Sequence, residues 1–128
     1  MPFNQEGLKD PFDIDTVSLH SSNPGLNATP ASGEVSGAPY ARQSISLAAA
    51  TTGSDGNGLY ARRNLSANAV FNLPISSNVD VQFVGYWKGS VYKGYEPVSN
   101  PKLFNQSSDT SRSYTLDTDT FIENRNSN

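Results

Sequence analysis

The chain has no cysteine, which excludes a disulfide framework and any thiolate metal site and leaves packing, hydrogen bonds and assembly to hold the fold. Charge is also scarce: 16% of its 128 residues are charged, the formal net charge is -3 and the pI is about 4.9. That balance offers no electrostatic footprint for a nucleic-acid backbone, so nucleic acid is not an expected partner. No stretch approaches the roughly 20 apolar residues that a membrane span needs. The first residues, Met1-Pro2-Phe3-Asn4-Gln5-Glu6, hold no basic region followed by an apolar run. The expectation is a chain without a membrane partner, made in the cytoplasm and kept off the ordinary secretory route. There is one histidine, no serine-nucleophile or phosphate-cradling glycine motif, and no pair of carboxyls singled out for glycoside hydrolysis. An enzyme is therefore not expected, and no cofactor is implied.

Apolar residues are few as well. A chain of this size hides roughly two-thirds of its unfolded surface, yet 35% of the residues are hydrophobic and the mean hydropathy is -0.51. The core is expected to be thin, with partners supplying part of the burial. What is abundant is Asn, Ser, Thr, Gly and Pro, the composition of strands joined by turns. The reading is an all-β chain: a single β-sandwich or jelly-roll-like domain of about seven short strands over 14–118, with extended arms at 1–13 and 119–128.

Along the chain, residues 1–13 are polar and turn-rich, with at most one helical turn around Gln5 to Lys9. Strands are expected from Ile14 to His20, ended by Asn23-Pro24-Gly25, and from Tyr40 to Leu47. The run Gly53-Ser54-Asp55-Gly56-Asn57-Gly58 makes Thr51 to Gly58 a turn or mobile loop. A strand from Ala69 to Leu73 stops at Pro74. Val79 to Trp87 is the strongest strand, with Val79, Val81, Phe83, Gly85 and Trp87 as the core face and Trp87 as its largest contributor. Val91 to Glu96 returns as its hairpin partner. Pro97 to Ser111 is irregular, Ser113 to Leu116 and Thr120 to Ile122 are short strands, and Glu123 to Asn128 is a polar tail expected to be disordered alone.

The order of short motifs carries more than any one of them. Leu19-His20-Ser21, then Asn23-Pro24-Gly25, Glu34-Val35-Ser36-Gly37 and Tyr40-Ala41-Arg42 are followed by Leu73-Pro74, Val81 through Gly85-Tyr86-Trp87, Tyr92-Lys93-Gly94-Tyr95 and Tyr114-Thr115-Leu116. This succession, over about residues 17–118, resembles a family of small structural proteins of tailed bacteriophages, described as tail fibre proteins or capsid decoration (cement) proteins. The resemblance implies a virion protein without catalysis. Leu19, His20, Pro24, Gly25, Glu34, Gly37, Tyr40, Arg42, Gly85 and Trp87 carry the structural pattern.

The expectation built on it is a cement or decoration protein that binds the outside of a phage head and links neighbouring capsomers. It would be assembled in the host bacterial cytoplasm, be a homo-oligomer, and take the major capsid protein as partner. The arms would supply contacts, with Phe3, Phe12, Phe104 and Phe121 as candidate interface residues. The alternative is a tail or tail-fibre component, in which Tyr60, Tyr86, Tyr92, Tyr95 and Trp87 form a glycan-binding platform.

Individual residues have plainer readings. His20 is expected to be a hydrogen-bonded turn residue rather than a ligand or base. Glu34 and Arg42 are expected to pair across the loop, the alternative being that Arg42 reaches a neighbouring subunit. Asp13 with Asp15, and Asp117 with Asp119, read as solvated strand edges rather than calcium ligands. Asp55-Gly56-Asn57-Gly58 reads as a turn.

Overall fold

The structure is a computed structural model that describes residues 12–26, 33–75, 77–105 and 112–126. Phe3 and the helical turn expected around Gln5 to Lys9 lie outside the described residues. Among the described residues the chain is all-β. Its strands are β1 (Thr16–His20), β2 (Gln43–Ser44), β3 (Thr51–Asp55), β4 (Gly58–Asn64), β5 (Ala69–Asn72), β6 (Val79–Lys88), β7 (Val91–Phe104), β8 (Ser113–Leu116) and β9 (Phe121–Asn126). They form a four-stranded sheet in the order β2-β1-β6-β7, a pair β5-β8, and a three-stranded sheet β3-β4-β9, antiparallel throughout.

The core lies where the inner face of the four-stranded sheet meets the β5-β8 pair, in the manner of a β-sandwich. Val17 and Leu19 of β1, Val79, Val81, Val84 and Tyr86 of β6, and Val98 and Phe104 of β7 pack against Ala69, Phe71, Leu73, Tyr114 and Leu116, with Ile122 closing one end. Period-2 alternation puts Phe71 inward between exposed Val70 and Asn72, and Tyr114 and Leu116 inward on β8. Arg112, itself buried, ties the end of β5 to the approach of β6 by donating to the carbonyls of Pro74 and Ser77.

Strand β6 departs from the expected alternation. Val79 and Val81 face the core, but so do Val84 and Tyr86, because the pairing with β7 jumps from Val81↔Lys102 to Phe83↔Pro97. The bulge inverts the phase, so Trp87 does not enter the main core; it forms a second cluster with Tyr92 and Tyr95 on the opposite face of the sheet. The extra residues sit on β7, where Val98 turns inward and the Tyr114 hydroxyl donates to the Asn100 carbonyl at 2.8 Å. This is how β7 runs on to Phe104 through Pro97 and Pro101, where an irregular segment was expected: an edge strand needs no donor on its outer side.

Two further expectations are corrected. Thr51 to Gly58 is not a loose loop but β3, a turn at Gly56-Asn57, and the start of β4, in register from Asp55↔Gly58 to Thr51↔Arg62. Of the C-terminal arm expected at 119–128, Phe121–Asn126 is instead β9, paired with β4 over six positions from Asn64↔Phe121 to Leu59↔Asn126, and residues 127–128 lie outside the described residues. Ile122 is fully buried there, and a chain that buries Ile122 cannot also drape that segment over a partner.

Candidate functional site

On the outer face of the four-stranded sheet, Ser18 and His20 of β1 stand beside Gly85 and Trp87 of β6, set there by the pairs Ser18↔Gly85 and His20↔Phe83. Ser18 and His20 have no exposed surface. The Trp87 indole Nε1 donates to Ser18 Oγ at 2.7 Å, and Ser18 Oγ lies 2.6 Å from His20 Nε2. The Ser18 hydroxyl can accept the indole N–H and still either donate to Nε2 or accept from it, so the direction of that bond follows the imidazole tautomer. A side chain at position 85 has no room: a Cβ there would lie 2.5 Å from Ser18 Oγ and 2.8 Å from His20 Nε2.

The loop after β1 closes over this layer. Val35 N donates to the Leu19 carbonyl at 2.9 Å, and His20 pairs with Glu34 across an isolated bridge. The Glu34 carboxylate accepts from Arg42 Nε at 3.0 Å and Nη2 at 2.9 Å, and from the Tyr40 hydroxyl at 2.8 Å. Burial alone would raise the Glu34 carboxyl, but these donors and the Arg42 charge outweigh it and hold it below the usual carboxylate range. The Tyr40 oxygen also accepts from the Leu19 amide at 3.1 Å, its ring stacks on Phe71 with centroids 6.1 Å apart, and burial pushes the phenol well above its ordinary value. The Arg42 guanidinium lies over the Trp87 ring, 3.6 Å from its centroid. Arg42 thus joins the carboxylate of the loop to the indole of β6.

The turn at Pro24-Gly25 is anchored to the same layer. Pro24 is buried, Gly25 has φ of 81°, and its carbonyl accepts from the Tyr92 hydroxyl at 2.7 Å. Gly37 has φ of 101° and packs over Pro74. His20, Pro24, Gly25, Glu34, Arg42, Gly85 and Trp87 therefore gather around one face of β1 and β6, Tyr40 reaches from Glu34 to Phe71 of the core, and Leu19 points to the core on the other face. Ser18 and Tyr92 complete the cluster; Tyr92 was read from sequence as part of a return-strand motif and of a glycan platform, and Ser18 was not singled out. For Ser18 the signal was its place two residues before His20, on the same strand face.

Chemically this is a lock between a loop and a sheet. Ser18 and His20 have the spacing of a nucleophile and its base, but both are enclosed and the serine oxygen already holds the indole N–H, so neither is presented to a substrate in this conformation.

The three-stranded sheet carries a different arrangement. One face bears Tyr60, Arg62, Phe121, Glu123, Arg125 and Asp55. Arg62 is paired with Glu123 at 2.6 Å and lies 4.0 Å from the Tyr60 centroid and 4.5 Å from that of Phe121; Arg125 bonds both Glu123 and Asp55. The other face carries Arg63 and the buried Ile122 at one end and, toward the β3–β4 turn, a shallow groove lined by the uncharged Thr52, Ser54, Leu59, Ala61 and Asn124.

The candidate interface aromatics separate. Phe104 is buried in the core, a correction, since it has no surface to offer; Phe12 is half-buried against the core; Phe121 lies under Arg62. The aromatic platform expected for a glycan also does not form: Tyr86 is in the main core, Trp87 and Tyr92 are buried on the opposite face, and Tyr60 belongs to another sheet. Asp13 and Asp15 both face Lys88, and Asp117 caps its own turn through the Asp119 amide. Among the described residues no group of three His, Asp or Glu side chains could hold a metal ion, and no helix is long and apolar enough to cross a membrane. The chain matches no protein-family model, no curated protein and no solved structure.

Proposed function

We propose that this chain is a non-enzymatic structural protein of a phage particle, a cement or decoration protein that binds the outer surface of the head and links neighbouring capsomers. What supports the reading is the convergence of the motif residues. Residues from the first motif, the 33–42 loop and β6 carry the resemblance separately in sequence and meet in one hydrogen-bonded cluster, buried at Ser18, His20 and Trp87 and open to solvent at Arg42, as expected of a pattern that specifies a scaffold. The remaining surface suits assembly: a sheet of three strands with two open edges and little buried area. Immunogold electron microscopy of intact particles with an antibody to this chain tests it. Label over the head is the expected result; label confined to the tail would replace it with the tail or tail-fibre reading, and unlabelled particles would overturn both.

A further inference from the structure

Among the described residues, the open strand edges of the molecule are blunted, with one exception, by the devices that keep edges from pairing with another chain. Strand β7 carries Pro97 and Pro101, β9 carries Glu123 and Arg125, β2 spans two residues, and β5 and β8 span four each. Strand β3 has no proline and no charge from Thr51 to Ser54, and all of it but Gly53 is exposed. The backbone fixes which of its groups are free. The two-residue turn at Gly56-Asn57 makes Asp55↔Gly58 a hydrogen-bonded pair, and the ladder alternates from there. Bonds at the far end of β4 keep the same parity: the Asn64 carbonyl accepts from the Ala48 amide on the β3 side, and the Leu65 amide donates to the Thr120 carbonyl on the β9 side. Asp55, Gly53 and Thr51 therefore bond to β4, and the amides and carbonyls of Thr52 and Ser54 point outward.

We propose that β3 is an interface between two copies of this chain, which pair their β3 strands antiparallel about a two-fold axis at Gly53. The register follows from the strand itself. Setting Thr52 opposite Ser54 of the second copy overlaps the whole of β3 and matches outward groups to outward groups, so that both backbone hydrogen bonds of each such pair form. A slip of one residue would set outward groups against groups already bonded to β4. Charge agrees with this alignment: Asp55, the strand's one charge, falls opposite Thr51 of the second copy and is neutralised by Arg125 at 2.6 Å, so no like charges meet. Gly53 leaves the axis clear on the face that bears Tyr60, where a Cβ would run into the Tyr60 ring and hydroxyl. The inference rests on the assembly reading of this sheet given above and names its partner, a second copy.

The test is sedimentation velocity of the full chain over a concentration series, with disulfide crosslinking between two variants, since the chain has no cysteine of its own. A concentration-dependent dimer is expected, weakened about tenfold by Thr52→Lys, which places two ammonium groups diagonally across the axis. Chains carrying Thr52→Cys and chains carrying Ser54→Cys, mixed and oxidised, should give the mixed disulfide ahead of either homodisulfide. Opposite residues of a hydrogen-bonded pair lie about 5.5 Å apart at Cα, within disulfide reach, and diagonal ones at about 7–8 Å are beyond it. A monomer at every concentration would overturn the second copy as occupant and leave the edge to a strand of another protein. An undiminished dimer in a folded Thr52→Lys variant, or a statistical mixture of disulfides, would overturn the β3 interface. Either failure is read without particles, so the labelling experiment still decides the phage reading by itself.

Discussion

At residue scale, Gly85 decides whether the outer layer of β1 and β6 can close. Adding one methyl drives a Cβ to 2.5 Å from Ser18 Oγ and 2.8 Å from His20 Nε2, atoms of enclosed side chains on the neighbouring strand. Gly85→Ala is expected to destabilise the fold by about 1–3 kcal/mol, the usual cost of overpacking a full site, measured as a lower urea midpoint with unchanged slope. Gly56 in the β3–β4 turn has nothing within 4 Å of its added Cβ, so Gly56→Ala should be neutral or stabilise by about 0.5 kcal/mol through the unfolded state. An equal loss in both variants would refute the packing account. The Glu34–Arg42 pair was legible because these are the two charged residues of the motif succession that carries the resemblance, on either side of a glycine-marked loop. The Trp87–Ser18 and Tyr92–Gly25 bonds were not, because each joins segments whose separation in the chain gives no hint of adjacency.

At the scale of elements, the outer sheet and the sandwich should answer acid differently. Asp55 is held below the ordinary carboxylate range by Arg125 and the Asn57 amide, and Glu123 by Arg125 and Arg62. Their folded forms hold protons less readily than the unfolded chain, so the stabilisation is complete above the ordinary range near about pH 4 and is lost as pH falls through the lowered folded values. Glu96 runs the other way: its raised folded value means the contribution of its protonated form is present at low pH and lost as pH rises through that value. Amide spectra recorded from pH 6 to 3 should therefore lose dispersion first at Thr51–Asp55 and Phe121–Asn126, while β1 and β6 persist. High salt should act in the same direction. Simultaneous loss across all strands would count against separate responses.

The same sheet marks where sequence reading failed. Thr51 to Asp55 is nearly all small and polar, and Glu123 to Asn126 entirely polar, because β3 is largely exposed and β9 reaches the core only at Ile122. Hydrophobic alternation, the signal that located β5, β6 and β8, is absent from strands held by backbone pairing and an ion-pair ladder. The alternation of Glu123 and Arg125 opposite Arg62 and Tyr60 was the readable trace. In β6 the opposite happened: the pattern was strong, but the bulge inverted its phase, and no local feature of the strand announces an excursion that belongs to β7.

For the whole molecule, the core reaches into the C-terminal segment through Ile122. Ile122→Ala should cost about 2–4 kcal/mol, measured by denaturant unfolding, because the site is fully enclosed. Deleting 119–128 would remove an integral strand and report on folding, not on attachment. The informative truncation is residues 1–10, which should weaken binding to capsids while leaving the unfolding midpoint within about 0.5 kcal/mol; full retention on the capsid would remove the N-terminal arm from the proposed mechanism.

The stacking of Arg42 on Trp87 also gives the molecule an optical property. Trp87 is the chain's single tryptophan and is 4% exposed, with its N–H engaged and a cation against its face. Its emission comes from one site, the junction of the 33–42 loop with β1 and β6, whereas far-ultraviolet dichroism sums over every strand. Fluorescence therefore follows the closing of the motif cluster alone, and comparing the two signals during unfolding separates the release of that loop from the collapse of the sandwich.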